Sequence, residues 1–459
     1  MVDKAARTAF VCQQCGRAAS RWLGQCPGCG AWNALVEEAV RETRARETRT
    51  GASAATPRPL VAVTAGDTVR RSTGLGELDR VLGGGLVQGS VVLVGGDPGI
   101  GKSTLALQAC GALARQGLPV LYVAGEESPE QVRLRAERLG MAEAGVGDVH
   151  VLPETATEAV IEQLERMRPA AVVVDSIQTL HTGALASAPG SVGQVRESAA
   201  LLVAHAKASG VACFLIGHVT KEGALAGPRV LEHLVDTVLY FEGDSGHALR
   251  VLRAVKNRFG STNEVAVFEM GERGLAEVPN PSATFLAERP AGAPGSTVLA
   301  TLEGSRPLLV EIQALVSRSA LALPRRAAIG LDVGRVALLL AVLEKRLGMP
   351  LHDQDVFLNV AGGLQVDEPA ADLAVVAAVA SSARGRALGE DVAVWGEVGL
   401  TGEVRAVGRA DARLREAARQ GFRRCVLPAG NTRGIDAPAG VTAEGVTSLD
   451  QLFDVLELR

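Results

Sequence analysis

The sequence predicts an α/β protein whose core is a mostly parallel sheet covered by helices on both faces. From Gly89 onward, short apolar runs such as Val91–Val94 and Ala171–Val174 alternate with stretches of helical periodicity. This alternation is typical of βαβ units, which place helices on both sides of a parallel sheet. Apolar runs between residues 237 and 268 follow one another more closely, and their spacing predicts an antiparallel extension of the sheet.

Length and composition indicate a globular protein of several domains. A chain of 459 residues is too long for one ordinary core, and 47% hydrophobic residues suffice for two or three. The net charge of −4 neither favours nor excludes nucleic acid as a partner. The N-terminus lacks the apolar core of a signal peptide, and charges interrupt every long apolar stretch. We therefore expect a cytoplasmic protein that makes no use of a membrane.

Five segments are predicted along the chain. Residues 1–36 form a cysteine-bearing module, and residues 37–60, rich in Arg, Glu, Thr, Ala and Pro without apolar periodicity, are predicted to be a linker. The main α/β domain is expected at 61–280. Prolines and small residues between Pro279 and Gly295 break the periodicity, which predicts a second linker at 281–300. Renewed alternation predicts a separate α/β domain at 301–459.

A glycine-rich run between an apolar strand and a helix carries the clearest chemical signal. Glycines let several backbone N–H groups point at one phosphate, and the positive end of the next helix lies at the same place. In this spacing the lysine reaches the β and γ phosphates and the serine hydroxyl ligates Mg²⁺. The predicted nucleoside-triphosphate site comprises Gly96, Asp97, Pro98, Gly99, Ile100, Gly101, Lys102, Ser103 and Thr104.

Acidic residues follow two of the predicted strands. Asp175 ends the run that begins at Ala171, where a carboxylate holds Mg²⁺ through water; capping of the strand is the alternative. Either Glu126 or Glu127 is expected to activate the attacking water, and we favour Glu126. The other glutamate is expected to stabilise a helix N-terminus. His218 follows a later strand and is either a sensor of the γ-phosphate or a structural histidine.

Four of the seven cysteines form two C-x-x-C pairs, each followed by glycine. Four thiolates suit tetrahedral zinc, and glycine lets backbone amides approach the sulfur atoms. A reducing compartment disfavours the alternative of two disulfides, whereas the spacing leaves iron open. Trp22 and Trp32 are expected to pack over the metal, with stacking on bases as the alternative. The predicted ligands are Cys12, Cys15, Cys26 and Cys29.

These motifs occur in the order found in one known family. The chain resembles the RadA (Sms) family of bacterial DNA repair proteins over nearly its whole length. The most specific match is the run Lys256, Asn257, Arg258, Phe259, Gly260. The resemblance implies a RecA-like P-loop NTPase core that uses ATP, an N-terminal zinc finger and a C-terminal domain similar to the Lon protease domain.

The resemblance also implies a ring. In RecA-like rings the edge that carries Lys256 and Arg258 faces the neighbouring subunit's nucleotide, so these cations would stabilise phosphate charge in trans within a homo-oligomer, expected to be a hexamer. A basic surface turn is the plainer alternative. Loops 181–194 and 220–229 would face the centre of the ring, unless they are ordinary solvated loops. The candidate contacts with single-stranded DNA are Lys221 and Arg229.

The C-terminal domain departs from a working Lon protease. In the run Asp367–Asp372, Ala370 stands where Lon proteases carry the nucleophilic serine, and the partner lysine falls at about Asp411. Without nucleophile and base, acyl transfer is not expected. We expect a proteolytically inactive scaffold that assembles the ring and offers a basic surface to DNA. Its weak candidates are Arg325, Arg326, Arg335, Lys345 and Arg346.

The sequence thus predicts a DNA-dependent ATPase and motor in recombinational DNA repair. It would process branched intermediates by helicase or branch-migration activity on single-stranded DNA, with the recombinase RecA as a partner. The alternative is a recombination mediator that uses ATP as a switch of DNA affinity without translocation. An ATP-dependent protease is disfavoured by Ala370 and Asp411.

Overall fold

The computed structural model of the chain describes residues 7–12, 17–28, 30–40, 70–141, 148–218, 231–243, 249–262, 264–321 and 323–459. The chain divides into two compact units, Met1–Glu277 and Val278–Arg459. No helix among the described residues is long and apolar enough to cross a lipid bilayer.

The N-terminal module is a small antiparallel sheet with the strand order β2-β1-β3. The buried side chains of Cys12, Cys26 and Leu35 form its core. The third strand extends beyond residue 36, so the module reaches four residues into the interval expected to be a linker; residues 41–60 lie outside the described residues. The strands are β1 (Arg7–Cys12), β2 (Ala18–Ala19) and β3 (Leu35–Val40).

A nine-stranded sheet forms the centre of the first unit, in the order β14-β13-β12-β11-β6-β10-β9-β7-β8, and β4 and β5 pair separately. The six strands from β11 to β8 run parallel, and β12, β13 and β14 add to them antiparallel. The antiparallel extension therefore begins one strand later than expected. The strands are β4 (Arg70–Arg71), β5 (Leu86–Val87), β6 (Val91–Gly96), β7 (Val120–Ala124), β8 (Val149–Leu152), β9 (Ala171–Asp175), β10 (Ala212–Ile216), β11 (Thr237–Glu242), β12 (Leu249–Asn257), β13 (Val265–Gly271) and β14 (Gly274–Glu277).

Side-chain alternation along the strands builds one core on each face of this sheet. Val92 and Val94 of β6 join the core that contains α1, α2 and α3, whereas Val91 and Leu93 join the core that contains α4 and α5. Successive residues of a strand point to opposite faces, so a continuous apolar run serves both cores. The helices are α1 (Gly76–Leu82), α2 (Lys102–Arg115), α3 (Pro129–Arg138), α4 (Thr157–Met167) and α5 (Val192–Ser209).

The second unit contains a mixed seven-stranded sheet in the order β17-β18-β16-β15-β19-β22-β23 and a separate β20–β21 pair. Helix α8, made of Ala, Val and other small residues, is buried along most of its length. The elements are α6 (Pro281–Leu286), β15 (Ser296–Glu303), β16 (Arg306–Arg318), β17 (Arg326–Ile329), α7 (Val333–Leu347), β18 (Gln354–Val360), α8 (Asp372–Arg384), β19 (Val392–Val394), β20 (Glu397–Val398), β21 (Val404–Arg405), α9 (Ala410–Arg419), β22 (Arg424–Pro428), α10 (Ala429–Thr432), β23 (Thr442–Val446) and α11 (Leu449–Val455).

The expected linker at 281–300 is corrected by the structure. It contains α6 and the beginning of β15, and both belong to the second unit. The prolines misled the prediction because Pro281 occupies the first turn of a helix, where a missing N–H costs nothing. The Asn280 side chain caps the same helix by accepting from the N–H of Ala283.

Candidate nucleotide-binding site

The predicted nucleotide site lies where the parallel strands of the first unit end. Strands β7, β9 and β10 are in register, with Ala124 opposite Asp175 and Asp175 opposite Ile216. Glu126 and His218 each follow the end of their strand by two residues. Side chains at the carboxyl ends of parallel strands converge on one edge of the sheet, where open α/β folds bind their ligands.

The glycine-rich run forms a turn between β6 and α2. Gly96, Gly99 and Gly101 have φ values of 150°, 78° and 116°, which favour glycine. A Cβ at Gly96 would lie 2.5 Å from the carbonyl oxygen of Phe241, whereas a Cβ at Gly99 would meet nothing within 4 Å. The run is therefore packed tightly at its base and open at its tip, as a backbone cradle for phosphate requires.

Lys102 begins α2 and folds back over the turn. Its side chain is buried, and Nζ donates to the carbonyl oxygens of Gly96 at 2.8 Å and Asp97 at 2.9 Å. Burial lowers the pKa of Lys102, while the nearby carboxylates, Asp175 first among them, act in the opposite direction. The ammonium group is thus held against the backbone at the start of the glycine-rich turn.

Asp175 is buried at the end of β9, and Tyr122 holds one of its oxygen atoms. The Tyr122 hydroxyl donates to Oδ2 of Asp175, and the tyrosine side chain is only 1% exposed. Burial, followed by the charge of Asp175, raises the pKa of Tyr122 well above its ordinary value, so the hydroxyl stays protonated as a donor.

Glu126 has the partners of a poised base. Its Oε1 accepts a hydrogen bond from the Ser176 hydroxyl and lies 3.3 Å from Nε2 of His218. The hydrogen bond from His218, ahead of the one from Ser176, lowers the pKa of Glu126 to about 2. The side chain remains 42% exposed, so an ionised carboxylate is available to a water molecule at this edge.

Glu127 is engaged elsewhere. Its Oε1 accepts from the guanidinium of Arg135 on α3, and both side chains are partly buried. The helix itself is capped by Ser128 and Gln131, which exchange hydrogen bonds in a capping box. Of the two adjacent glutamates, only Glu126 faces the strand-end cluster with Ser176 and His218.

The donor set fits a nucleoside triphosphate with Mg²⁺. The cradle is open at Gly99, Lys102 supplies a cation, and Ser103 and Asp175 supply oxygen atoms of the kind that Mg²⁺ prefers. Ser103 is partly exposed, and no residue in the described part of the chain hydrogen-bonds its hydroxyl. The residues present therefore match the predicted ligand.

The run from Lys256 to Gly260 lies at the other edge of the sheet. Asn257 pairs with Thr237, which is in register with Val92 near the beginning of β6, whereas the cradle starts where β6 ends. Four residues of strand, about 13 Å, separate the two edges. The run is therefore too remote to reach a ligand held in the glycine-rich turn of the same chain.

Three residues of this run have structural contacts. Asn257 donates to the carbonyl of Val81 at 3.1 Å, and the carbonyl of Phe259 accepts from Arg70 at 2.7 Å. A Cβ at Gly260 would come within 2.8 Å of Cα of Gly83. These contacts anchor the run against its own domain.

The two cations differ in availability. Nζ of Lys256 donates to the carbonyls of Glu232 at 2.6 Å and Val235 at 2.9 Å. Arg258 donates to Oδ1 of buried Asp236 at 3.1 Å, but its side chain remains 51% exposed. Lys221 and Arg229, the candidate DNA contacts, lie outside the described residues.

The loop at 181–194 is built around one side chain. Buried Gln194 donates to the carbonyls of Thr182, Leu185 and Ser187 and accepts from the N–H of Thr182. The amide closes the loop, which gives it a defined conformation at the strand-end edge.

Two of the predicted metal ligands are described, and their surroundings fit a bound metal. Cys12 and Cys26 are buried, and the N–H of Gly28 donates to Sγ of Cys26 at 3.3 Å. A backbone N–H directed at sulfur stabilises a thiolate. Cys15 and Cys29 lie outside the described residues.

The tryptophan rings do not pack over this site as expected. Trp22 is 53% exposed and Trp32 is 72% exposed. Among the described residues, the buried core of the module consists of Cys12, Cys26 and Leu35 instead.

The charged side chains around Ala370 in the second unit are engaged in ion pairs. Ala370 is only 1% exposed, and Asp411 is on the surface in a pair with Arg415. Arg413 donates to both oxygen atoms of Glu368, at 2.8 and 2.6 Å. The neighbouring charges are thus neutralised within the unit.

Arg335 and Arg325, two of the weak DNA candidates, are similarly engaged. The guanidinium of Arg335 binds the buried carboxylate of Asp372, and Arg325 pairs with buried Asp355 at 2.9 Å. The remaining weak candidates are exposed side chains: Arg326, Lys345 and Arg346.

Sequence reasoning missed Tyr122 and Ser176, whose hydroxyl groups donate hydrogen bonds to the carboxylates of Asp175 and Glu126. The sequence did carry one signal for Tyr122: it is the one aromatic residue in β7 and lies two positions before Ala124, which pairs with Asp175. Ser176 directly follows Asp175 and gave no separate signal. Its contact with Glu126 joins residues 50 positions apart and depends on the register of the sheet.

Comparisons with known proteins were made for the whole chain. Residues 54–224 match the family described as an AAA domain, residues 10–37 match a rubredoxin metal binding domain, and residues 344–458 match the Lon protease (S16) C-terminal proteolytic domain.

Among curated proteins, the chain is 55% identical over 453 residues to the DNA repair protein RadA of Pseudomonas aeruginosa, covering 98% of this chain and 99% of that protein. It is 52% identical over 447 residues to the DNA repair protein RadA of Bacillus subtilis, covering 96% of this chain and 97% of that protein. A solved KaiC-like protein from Pyrococcus horikoshii is 21% identical, covers 46% of the chain and all of that protein, and superposes with a TM-score of 0.39.

Proposed function

Because the chain belongs to the RadA family of bacterial DNA repair proteins, we propose that it is a DNA-dependent ATPase and motor in recombinational DNA repair. The observation that carries the proposal is the convergence of Lys102, Glu126 and Asp175 on one open edge of the sheet. Each of these side chains would have a role in phosphoryl transfer, and its surroundings support that role.

Each residue of the nucleotide site would have its own chemical role in ATP hydrolysis. Backbone N–H groups of Gly96–Thr104 would hold the phosphates of ATP, and Lys102 would exchange its two carbonyl partners for phosphate oxygens. Ser103 and Asp175 would hold Mg²⁺, which neutralises phosphate charge when bound. Glu126 would accept a proton from the attacking water, since its carboxylate is ionised and accessible.

His218 is suited to report the state of this site. It contacts Glu126 through its ring and accepts from the Gln178 side chain, at 3.4 Å, through its carbonyl. It immediately precedes the interval 219–230, which contains the candidate DNA contacts Lys221 and Arg229. A shift of Glu126 towards water would change the position of His218.

The run from Lys256 to Gly260 supports a site completed by a neighbouring subunit. The run lies far from the cradle of its own chain, and Arg258 is half exposed, so Arg258 could reach a second copy directly, whereas Lys256 would first have to exchange its two carbonyl partners. We therefore propose a homo-oligomeric ring, expected to be hexameric, in which these cations stabilise phosphate charge in trans.

The N-terminal module and the second unit would have supporting roles. The N-terminal module would bind zinc through its four cysteines, and RecA and single-stranded or branched DNA would be its partners in the cell. The second unit would be a proteolytically inactive scaffold, since Ala370 offers no nucleophile and Asp411 no base.

Strand separation tests the motor directly. Unwinding of a branched DNA substrate with ATP is compared for the wild type, Lys102→Ala and Lys256→Ala. Lys207→Ala is the matched control, because Lys207 lies 3.9 Å from the same Asp236 that binds Arg258 but is outside the run. We expect both test variants to lose unwinding and the control to keep it.

Unwinding that survives both changes would exclude the motor. ATP-dependent binding of single-stranded DNA by the wild type, without any unwinding, would support the mediator that uses ATP only as an affinity switch.

A further inference from the structure

The Tyr122 side chain is buried beside the nucleotide site. The roles proposed above in phosphate binding and water activation do not use its hydroxyl group. It lies on β7, opposite Val173, while Ala124 lies opposite Asp175. Tyr122 and Ala124 point to the same face of the sheet, and two residues of strand span about 6.6 Å. The tyrosine side chain therefore extends along the sheet from Tyr122 to the level of Ala124, where its hydroxyl contacts the carboxylate of Asp175.

The contact is directional and fixed. The hydroxyl donates to Oδ2 of Asp175, and Tyr122 is 1% exposed within the core formed with α2. Among the described residues, no other side chain hydrogen-bonds this carboxylate. The ring cannot turn away in a close-packed interior, so it fixes the rotation of the carboxyl group about its own bond.

We propose that Tyr122 is a positioning residue that orients Asp175 to hold Mg²⁺ through its other oxygen, Oδ1. This inference rests on the proposed function, because it assigns a metal-holding role to Asp175. Loss of an outer hydrogen bond to a metal-holding side chain costs about 10- to 100-fold in metal affinity or activity. Tyr122 thus sets metal affinity without touching the nucleotide.

Replacing only the hydroxyl tests this role. The variant is Tyr122→Phe, and the matched control is Tyr240→Phe, which removes the chain's one other tyrosine hydroxyl. Tyr240 donates to Glu232 at 3.1 Å, so the control also removes a tyrosine–carboxylate contact. Affinity for Mn²⁺, an EPR-visible substitute for Mg²⁺, is measured on the full chain saturated with ADP, where no hydrolysis is needed.

We expect about tenfold weaker Mn²⁺ binding in Tyr122→Phe and a change below about twofold in Tyr240→Phe. Binding of a fluorescent ADP analogue without metal is expected to be unchanged in both, which separates the metal effect from a loss of the cradle. In steady-state hydrolysis, the Mg²⁺ concentration for half-maximal activity is expected to rise by a similar factor in Tyr122→Phe.

Mn²⁺ affinity equal to the wild type in Tyr122→Phe would overturn the inference. Should that variant fail to fold, Tyr122→Leu also lacks the hydroxyl and the same Mn²⁺ comparison applies to it. A wild type that binds Mn²⁺ and ADP but hydrolyses no ATP would contradict the proposed function and leave the role of Tyr122 standing.

Discussion

The strand-end edge of the first unit and the region around Ala370 in the second unit are both rich in charged side chains, but they differ in how those charges are used. At the first, Glu126 is 42% exposed and its partner His218 is itself partly exposed. At the second, Arg413 is 1% exposed and donates to both oxygens of Glu368. One set of charges remains accessible to a ligand, whereas the other is neutralised internally.

The difference separates a chemical site from a structural one. Under the proposed function, Glu126 and Lys102 would exchange their present partners for water and phosphate. Arg413 cannot lose Glu368 without leaving a buried charge that is not neutralised by a carboxylate. Whether a charged residue near a predicted active site can bind a ligand therefore depends on the partners that it already has.

The largest expected effect is on hydrolysis at the first site. Glu126→Gln keeps the size of the side chain but removes the base, and we expect kcat for ATP to fall at least about a hundredfold. Glu127→Gln is the matched control and should change kcat by less than about fivefold, because Glu127 pairs with Arg135. Steady-state ADP release measures both. The opposite order of effects would make Glu127 the base.

Breaking the ion pair in the second unit comes next in size. Glu368→Ala leaves the Arg413 guanidinium buried without its carboxylate, and we expect the free energy of unfolding of that unit to fall by about 3 kcal/mol. The control, Glu344→Ala, breaks an exposed contact with His352 and should cost less than about 1 kcal/mol. Hydrogen exchange of the backbone amides in β15 and β16 measures the stability of the second unit separately from that of the first. Equal protection in both variants would contradict the structural role of the pair.

A smaller effect is expected in the acid stability of the first unit. The hydrogen bond from His218 is the main cause that lowers the pKa of Glu126 from 4.5 to about 2. The resulting stabilisation is present above about pH 4.5 and disappears as pH falls towards 2. His218→Ala should raise the pKa of Glu126 and reduce this acid-dependent loss, as followed by thermal unfolding at stepped pH. An identical pH dependence in both proteins would show that the contact does not shift Glu126.

No gain of activity is expected from restoring a serine in the second unit. Ala370→Ser places a hydroxyl at a buried position, and Asp411 stands at about the position expected for the partner lysine, so peptide hydrolysis should stay at the background level of the wild type. A fluorogenic peptide substrate measures this. Hydrolysis that a serine-directed inhibitor abolishes, in either protein, would show that the unit retains a catalytic base.

The sequence was sufficient for features encoded in short runs. The family and the α/β fold class are confirmed by the full-length relatives and the domain matches. The phosphate-loop spacing and the apolar strands are local patterns, and each was readable without knowledge of the sheet. The same holds for the antiparallel extension, although β11 pairs parallel with β6.

Features that depend on strand register escaped prediction. Tyr122 meets Asp175 and Ser176 meets Glu126 only because β7 and β9 are neighbours in a particular register. The exposure of Trp22 and Trp32 was missed for a different reason, since aromatic residues in a small module were assumed to supply its core. Proline frequency likewise concealed α6, whose first residue is Pro281.

ADP release by the full chain, with and without single-stranded DNA, tests the central claim most directly. We expect ATP hydrolysis by the wild type to rise with DNA, Lys102→Ala to be inactive under both conditions, and Lys256→Ala to lose the stimulated rate. DNA-independent hydrolysis that Lys102→Ala retains would contradict the claim that the cradle from Gly96 to Thr104 is the site of a DNA-linked ATPase.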